Sequence, residues 1–239
     1  MLALVVRSLS ASGVDSANAN AIARNIVAAE RHGKRSHGLV SCLLFEKYRD
    51  NWTGPTGHLT HNTVNASRLE VNAGFNSGHL AMEYALEASF REIESSKLDC
   101  VLVEVSEFQA SVGYAGEFGR HATKNGFGYL GFHNCHGGLH VDGVAAGYLG
   151  TNPFVIAMPI SNGEAMVFDS SCAQKSWSAK YLDQMLNGVD DDDFAVEPWG
   201  GQKGVGLSIA IEVLVASLSG SKAFRSGLDR GLGSIFFLF

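Results

Sequence analysis

The sequence lacks the residue patterns that mark several common protein classes. Its 239 residues include only four cysteines, and no two of them form a C-x-x-C pair. A chain of this length can bury a core without disulfide bonds, so we expect free thiols and a reducing, cytoplasmic compartment. There is also no P-loop, H-E-x-x-H or G-x-S-x-G motif, and the glycines of "GYAGEFG" have the wrong spacing for a Rossmann fingerprint. Any nucleotide site must therefore use another architecture.

Positive charge and long apolar runs are scarce as well. The formal net charge is −6 and lysine and arginine do not cluster, which argues against nucleic acid or an anionic membrane as a partner. No apolar run approaches the roughly 20 residues that span a bilayer. The apolar run at residues 2–6 is shorter than that of a signal peptide, and we expect it to begin a first helix or strand.

Hydrophobic periodicity predicts an α/β chain in which helices cover a sheet. Helical spacing indicates a helix over 16–32, capped by Asp15 or Ser16 and ended by Gly33. Further helices are predicted at about 38–50, 79–96 and 111–124, and strands at 63–74, 100–105, 127–134, 150–160 and 165–169. The 28 glycines predict many tight turns or close backbone approaches.

The last third of the chain carries three features of its own. Four aspartates at 190–193 predict an exposed loop. The stretch "GVGLSIAIEVLVASLSGS" is almost entirely apolar, and we expect that helix to lie inside the domain, covered on most sides. The final "GSIFFLF" is strand-like, so either it is buried in the sheet or the sequence lacks its natural continuation.

Four stretches carry residues suited to chemistry. In "RSHG", His37 could lend or accept a proton near neutrality, Ser36 could orient its ring and Gly38 could let a ligand approach; the alternative is a histidine that only ends a helix. In "GGQKGVG", a glycine-rich turn with a lysine at a helix start suits a phosphate, or is simply a solvated turn. Asp169 follows an apolar strand and could orient a histidine, accept a hydrogen bond from a substrate or ribose hydroxyl, or cap a helix. "LGTNP" reads as a turn that enters a strand.

The stretch "FHNCHGGLHVDG" holds metal-ligand residue types within ten positions. Gly137 and Gly138 argue against a helix that would place His136 and His140 on one face, and the spacing matches no zinc pattern. We therefore expect no metal, and favour loop residues or a substrate pocket over a metal-dependent hydrolase or lyase.

Taken in order, RSHG, VNAG…GH…AME, LGTNP, a strand ending in aspartate and serines, and GGQKGVGL resemble one family. This is the malate/L-lactate dehydrogenase family of NAD(P)H-dependent oxidoreductases without a Rossmann fold. Its members include ureidoglycolate, sulfolactate and diketogulonate enzymes and the reductases of piperideine carboxylate. The resemblance covers about residues 10–237 and implies a mainly antiparallel mixed sheet covered by helices, NAD or NADP as cofactor, and a homodimer. We expect an N-terminal helical segment at 1–66 and a cofactor-binding sheet domain at 67–239.

The resemblance also implies roles for individual residues. His37 matches the family's proton donor, with Ser36 and Asp169 in the catalytic group. The expected cofactor-binding residues are Asp169, Ser170, Ser171, Gly201, Lys203 and Gly204. The expected substrate-binding residues are Asn134, His136, His140 and Thr151.

The chain departs from the family pattern at three places. Phe108 stands where the family has a second active-site histidine, and Ser41 stands where an arginine clamps a substrate carboxylate, unless Arg35 or Arg49 replaces it. A C-terminal segment that touches the cofactor is missing. The sequence thus predicts a reductase of a C=O or C=N bond in a small 2-oxo acid or cyclic imine, with a changed pocket. The alternative is a degenerate relative that keeps the fold and has lost or changed catalysis.

Overall fold

The fold is a seven-stranded sheet with helices on both faces. The computed structural model describes residues 1–49, 53–65, 67–144, 147–189, 195–224 and 231–239. The strands are β1 (Thr60–Asn65), β2 (Arg68–Asn72), β3 (Val101–Phe108), β4 (Tyr129–His133), β5 (Phe154–Pro159), β6 (Ala165–Ser170) and β7 (Leu232–Leu238). Their order is β1-β2-β3-β7-β4-β5-β6, and among these described strands only β2 and β3 pair in parallel. The expected mainly antiparallel mixed α/β fold is confirmed.

In the described part of residues 1–59, three helices form the N-terminal part: α1 (Leu2–Ala11), α2 (Ser16–Arg31) and α3 (Val40–Lys47). Asp15 caps α2 as expected, since its carboxylate accepts hydrogen bonds from the backbone N–H groups of Ala17 and Asn18. Apolar side chains of the three helices pack together in a small core of their own. A short 3₁₀ turn, Arg35–His37, follows α2 and leads into α3.

The segment predicted as one strand over 63–74 is a hairpin instead. Strand β1 pairs with β2, and the Asn65 side chain accepts a hydrogen bond from the Ser67 backbone N–H at the turn. That side-chain bond turns the chain back, so the single-strand prediction was wrong. Because β1 begins at Thr60, the sheet reaches into the segment that we had assigned to the N-terminal helices.

Strand β7 lies in the middle of the sheet, between β3 and β4. Six of its seven residues are buried. The expectation that the final stretch is a strand buried in the sheet is therefore confirmed. Its central place also explains the composition, because a strand covered on both faces needs no alternation of polar and apolar residues.

Helices α4 (Gly78–Ser96) and α5 (Gly116–Lys124) cover one face of the sheet over the main core. Helix α5 starts five residues later than predicted, because Gly113 has a φ of 66°, which no α-helix accommodates. Helix α6 (Trp177–Leu186) lies beside α3 and the 3₁₀ turn. The acidic run at 190–193 lies outside the described residues.

Helix α7 (Gln202–Ser219) packs on the opposite face through Ile211 and Val215. Its outer side is open: Ile209, Val213 and Leu214 are 40–47% exposed. The prediction that this helix is covered on most sides was wrong, because apolar composition does not specify how many neighbours a helix has. By length and apolar composition α7 could also cross a membrane, a criterion that core helices of soluble proteins meet as well.

Candidate active site

A cavity of about 810 Å³ opens between the N-terminal helices, the end of β6 and the start of α6. Its size lies within the range of small-molecule and cofactor sites. The described residues in its wall include Ser36, His37, His136, Thr151, Asp169, Ser170 and Ser171, all of which the sequence singled out. Four separate parts of the chain therefore meet here.

His37 is half-buried in this wall, on the 3₁₀ turn. The Ser36 hydroxyl lies 3.0 Å from His37 Nδ1, so the serine fixes the ring as expected. Burial, and after it the nearby charge of Lys34, lowers the pKa of His37 to about 4. The ring is therefore neutral at pH 7 unless a negative charge joins it.

Gly38 is small for a reason other than the expected approach of a ligand. The Glu30 carboxylate occupies the space that a side chain at position 38 would need. Glu30 Oε1 accepts a 2.7 Å hydrogen bond from the Leu39 backbone N–H. Together with the bond from the His37 N–H to the Lys34 carbonyl, this contact fixes the backbone that carries His37.

Asp169 stands near the end of β6, in the same cavity. Its Oδ2 accepts a 3.1 Å hydrogen bond from the Gly116 backbone N–H, at the N-terminus of α5. Burial raises the pKa of the Asp169 carboxyl, while that hydrogen bond and the charges of Lys34 and Arg120 oppose the rise. The carboxylate thus ties β6 to α5.

The histidine-rich stretch after β4 divides into two groups. His136 and Thr151 line the cavity, next to Cys135. His133 is fully buried against Ser234, and its pKa falls to about 3 because of burial. No trio of His, Cys, Asp or Glu in the described chain is placed to hold a metal ion.

Asn134 and His140 do not reach the described cavity wall. Asn134 is buried, and its Oδ1 accepts a 2.7 Å hydrogen bond from the Gly233 N–H, which joins β4 to β7. His140 is exposed, 3.4 Å from Asp142. The structure therefore does not bring these two residues together with the other expected substrate-binding residues.

The glycine-rich turn lies next to the cavity, not in the part of its wall that is described. Gly204 packs α7 closely on the Cys172 carbonyl, and the Trp199 N–H donates to that same carbonyl at 2.8 Å. Gly201 begins α7 with a φ of 62° and no side-chain cap. Lys203 is exposed. The segment 170–173 therefore connects the glycine-rich turn to the cavity. Ser170, Ser171 and Ala173 line the cavity, and the Cys172 carbonyl contacts the turn.

Several wall residues were missed. Lys34 and an aromatic group, Phe45, Tyr48, Tyr114 and Trp177, line the cavity, and the Tyr48 and Trp177 ring centroids are 5.3 Å apart. Apolar residues at helical spacing give the same signal in a pocket wall as in a core. Phe108, where the family's second histidine was expected, is a fully buried core residue, whereas Ser41 does line the cavity.

A family model described as malate/L-lactate dehydrogenase matches residues 1–188. The chain belongs to the malate/L-lactate dehydrogenase family. The match includes His37 and Asp169 and ends before the glycine-rich turn. Members of this family are oxidoreductases, and the match supports a dehydrogenase or reductase of this general type.

Solved structures agree on the fold. A dehydrogenase from Sinorhizobium meliloti superposes with a TM-score of 0.83 at 24% identity, over 100% of this chain and 77% of that one. The Δ1-piperideine-2-carboxylate reductase from Pseudomonas syringae superposes with a TM-score of 0.81 at 19% identity, over 100% of this chain and 79% of the reductase. Sulfolactate dehydrogenase from Methanocaldococcus jannaschii superposes with a TM-score of 0.72 at 20% identity, over 100% of this chain and 75% of that enzyme. A search of curated protein sequences gave no match.

Proposed function

We propose that this protein is an NAD(P)H-dependent reductase that acts on a C=O or C=N bond of a small substrate. The supporting observation is that one cavity contains His37, oriented by Ser36, together with Asp169 and its two following serines. In its protonated form His37 donates a proton to the substrate oxygen or nitrogen, and the neutral ring then takes up another proton from solvent. Nε2 is the donating atom because Nδ1 is held by Ser36. Such proton transfer contributes about 10²- to 10⁴-fold in rate.

The residues present fit a dinucleotide. The small side chains of Ser170 and Ser171, and Gly138, beside which there is open space, allow a flat ring to approach the wall closely. The uncapped start of α7, with Gly201 and Lys203, suits the phosphates. When bound, the reduced nicotinamide supplies the hydride for the reduction. The residues do not distinguish NADH from NADPH.

Nucleotide binding and turnover test this function. NADH or NADPH at 100 times its dissociation constant should add about 2.7 kcal/mol of stability, measured as a rise in the melting temperature. Turnover is followed by the absorbance of the reduced nicotinamide with a panel of small 2-oxo acids and cyclic imines. His37→Ala should abolish turnover and keep the thermal shift, and His58→Ala, at an exposed histidine, should change neither. Binding without turnover on any panel member would favour the degenerate relative.

A second copy is the partner we propose for the open side of α7. Over 18 residues this helix has one lysine, at its first turn, and one glutamate, which is buried, so the exposed stripe of Ile209, Val213 and Leu214 carries no charge. Such a stripe can meet itself across a two-fold axis without repulsion despite the net charge of −6.

All four cysteines are free thiols, which supports the cytoplasm as the proposed compartment.

A further inference from the structure

The part of the cavity wall that α3 and α6 supply is apolar. Ser41, Leu44, Phe45 and Tyr48 line the cavity from α3, at the spacing that places residues on one face of a helix. Leu44 and Phe45 are buried, and Tyr48, the C-cap of α3, is half-buried. Trp177, the first residue of α6, lines the cavity as well. No residue that these two helices place in the described wall carries a charge.

Tyr48 and Trp177 join the two helices at this part of the wall. Their ring centroids are 5.3 Å apart, and the ring planes are inclined by 41°. A tilted contact of this kind is a favourable arrangement for two aromatic side chains. We call Leu44, Phe45, Tyr48 and Trp177 the aromatic end of the cavity. A flat apolar group placed here would leave water and contact these side chains instead.

The aromatic end lies next to His37. The 3₁₀ turn that carries His37 packs against both α3 and α6. The turn also leads directly into α3, since the Ser41 backbone N–H donates a 2.9 Å hydrogen bond to the Gly38 carbonyl. Asp169 lines the same cavity from β6. A molecule whose reducible bond faces His37 therefore has polar groups of β6 and the aromatic end within one cavity.

We propose that the aromatic end selects a substrate that carries an aromatic ring near its reducible C=O or C=N bond. The ring lies against Tyr48 and Trp177 while the bond faces His37. This inference rests on the proposed function, since it takes the bond at His37 as the one that is reduced. It makes the four residues of the aromatic end specificity-determining for that reaction.

The residue at position 41 agrees with an aromatic substrate. An arginine there would place a charged group on the same face of α3 as Leu44 and Phe45, and an apolar ring bound beside it would remove water from that charge. Ser41 is short and neutral, so this face stays open to a ring. Arg35 and Arg49, the two candidates to replace such an arginine, are outside the described wall. The aromatic end therefore favours an uncharged, apolar group.

Binding of phenylpyruvate and pyruvate tests the proposal, because the two compounds share the 2-oxo acid group and differ by the ring. Calorimetry on the protein saturated with NAD⁺ or NADP⁺ measures the ratio of their affinities without turnover. We expect phenylpyruvate to bind at least about tenfold more tightly in the wild type. Tyr48→Ala and Trp177→Ala should each reduce that ratio about fivefold or more, and Tyr48→Phe should restore it. Leu43→Ala, at an exposed position of α3, should keep the wild-type ratio.

Four outcomes would overturn the proposal. Equal affinities of the wild type for both compounds, or a ratio that neither alanine substitution changes, exclude the aromatic end as the ring site. An equal loss of both compounds in the alanine variants shows that the rings support the fold and do not select the substrate. A loss of nucleotide affinity as large as the loss of phenylpyruvate affinity assigns the rings to the cofactor. Failure of phenylpyruvate and of acetophenone, which lacks the carboxylate, to bind at about 10 mM also refutes the proposal.

The nucleotide thermal shift, measured on the same samples, separates this proposal from the proposed function. A shift with NADH or NADPH and no preference for the ring contradicts only the aromatic end as the specificity site. Absence of a shift with either nucleotide contradicts the proposed function, whatever the affinity for phenylpyruvate.

Discussion

His133 makes the stability of this protein depend on pH in a way that one substitution can isolate. The imidazole is fully buried at the end of β4, with Nδ1 2.8 Å from the Ser234 hydroxyl. Burial lowers its pKa to about 3. The folded state therefore keeps His133 neutral at any pH above that value, whereas the unfolded chain binds a proton below about pH 6.5. Stability must then fall as the pH falls through 6.5.

The size of the effect follows from the two pKa values. Between pH 7.5 and pH 5, protonation of one unfolded histidine costs about 2 kcal/mol of folding free energy, provided that the folded form stays neutral. His79 is 3% exposed with its pKa lowered to about 3, first by burial and then by His37, so it adds a loss of the same size. The two buried histidines together should remove about 4 kcal/mol over this range.

Urea unfolding of wild type and His133→Asn at pH 7.5, 6 and 5 measures this loss. Asparagine can keep a hydrogen bond to Ser234 but does not titrate, so the variant should lose about 2 kcal/mol less than wild type on acidification. Any packing cost applies equally at each pH and cancels in the difference. His58→Asn, at an exposed position, should follow the wild type. Parallel losses in wild type and His133→Asn would refute the reasoning.

Three further predictions concern the frame around the site. Asn152→Ala should lower the free energy of unfolding in urea by about 3 kcal/mol, since its amide donates at 2.7 Å to the buried Glu212 carboxylate, which would lose that partner. Val213→Glu should convert the proposed dimer to monomer in sedimentation analysis, and an unchanged mass would exclude the α7 stripe as the interface. With Ellman's reagent the exposed Cys100 should react first and Cys172 last, because burial, and then Cys135, raises the pKa of Cys172 to about 12.

Most of the helices and strands were predicted, because the sequence signals that define them lie within a few neighbouring residues. Helix α2 has apolar spacing and an aspartate cap, and both act within a few residues. The exposed side of α7 and the β1–β2 hairpin were not predicted, since each depends on what packs nearby. The same apolar stretch is compatible with a covered helix and with one that is open on one side.

The sequence predicted the site residues that belong to a recognisable motif. It did not predict those whose role depends on contacts between distant parts of the chain. His37, Asp169 and His136 do share one cavity, as the motifs suggested. Lys34 precedes the same motif, but only the fold shows that its charge reaches both His37 and Asp169. Asn134 matched a family position, yet its amide is committed to Gly233, a contact between strands far apart in sequence.

The most direct test of the central claim is a titration with NADH and NADPH that follows tryptophan emission. Trp177 lies in the cavity wall with His37, so a nicotinamide bound there should quench its emission saturably. We predict saturable quenching in wild type that is much reduced in Trp177→Phe, with a similar thermal shift in both proteins. Nucleotide binding with the same quenching in Trp177→Phe, or no binding of either nucleotide, would contradict the account.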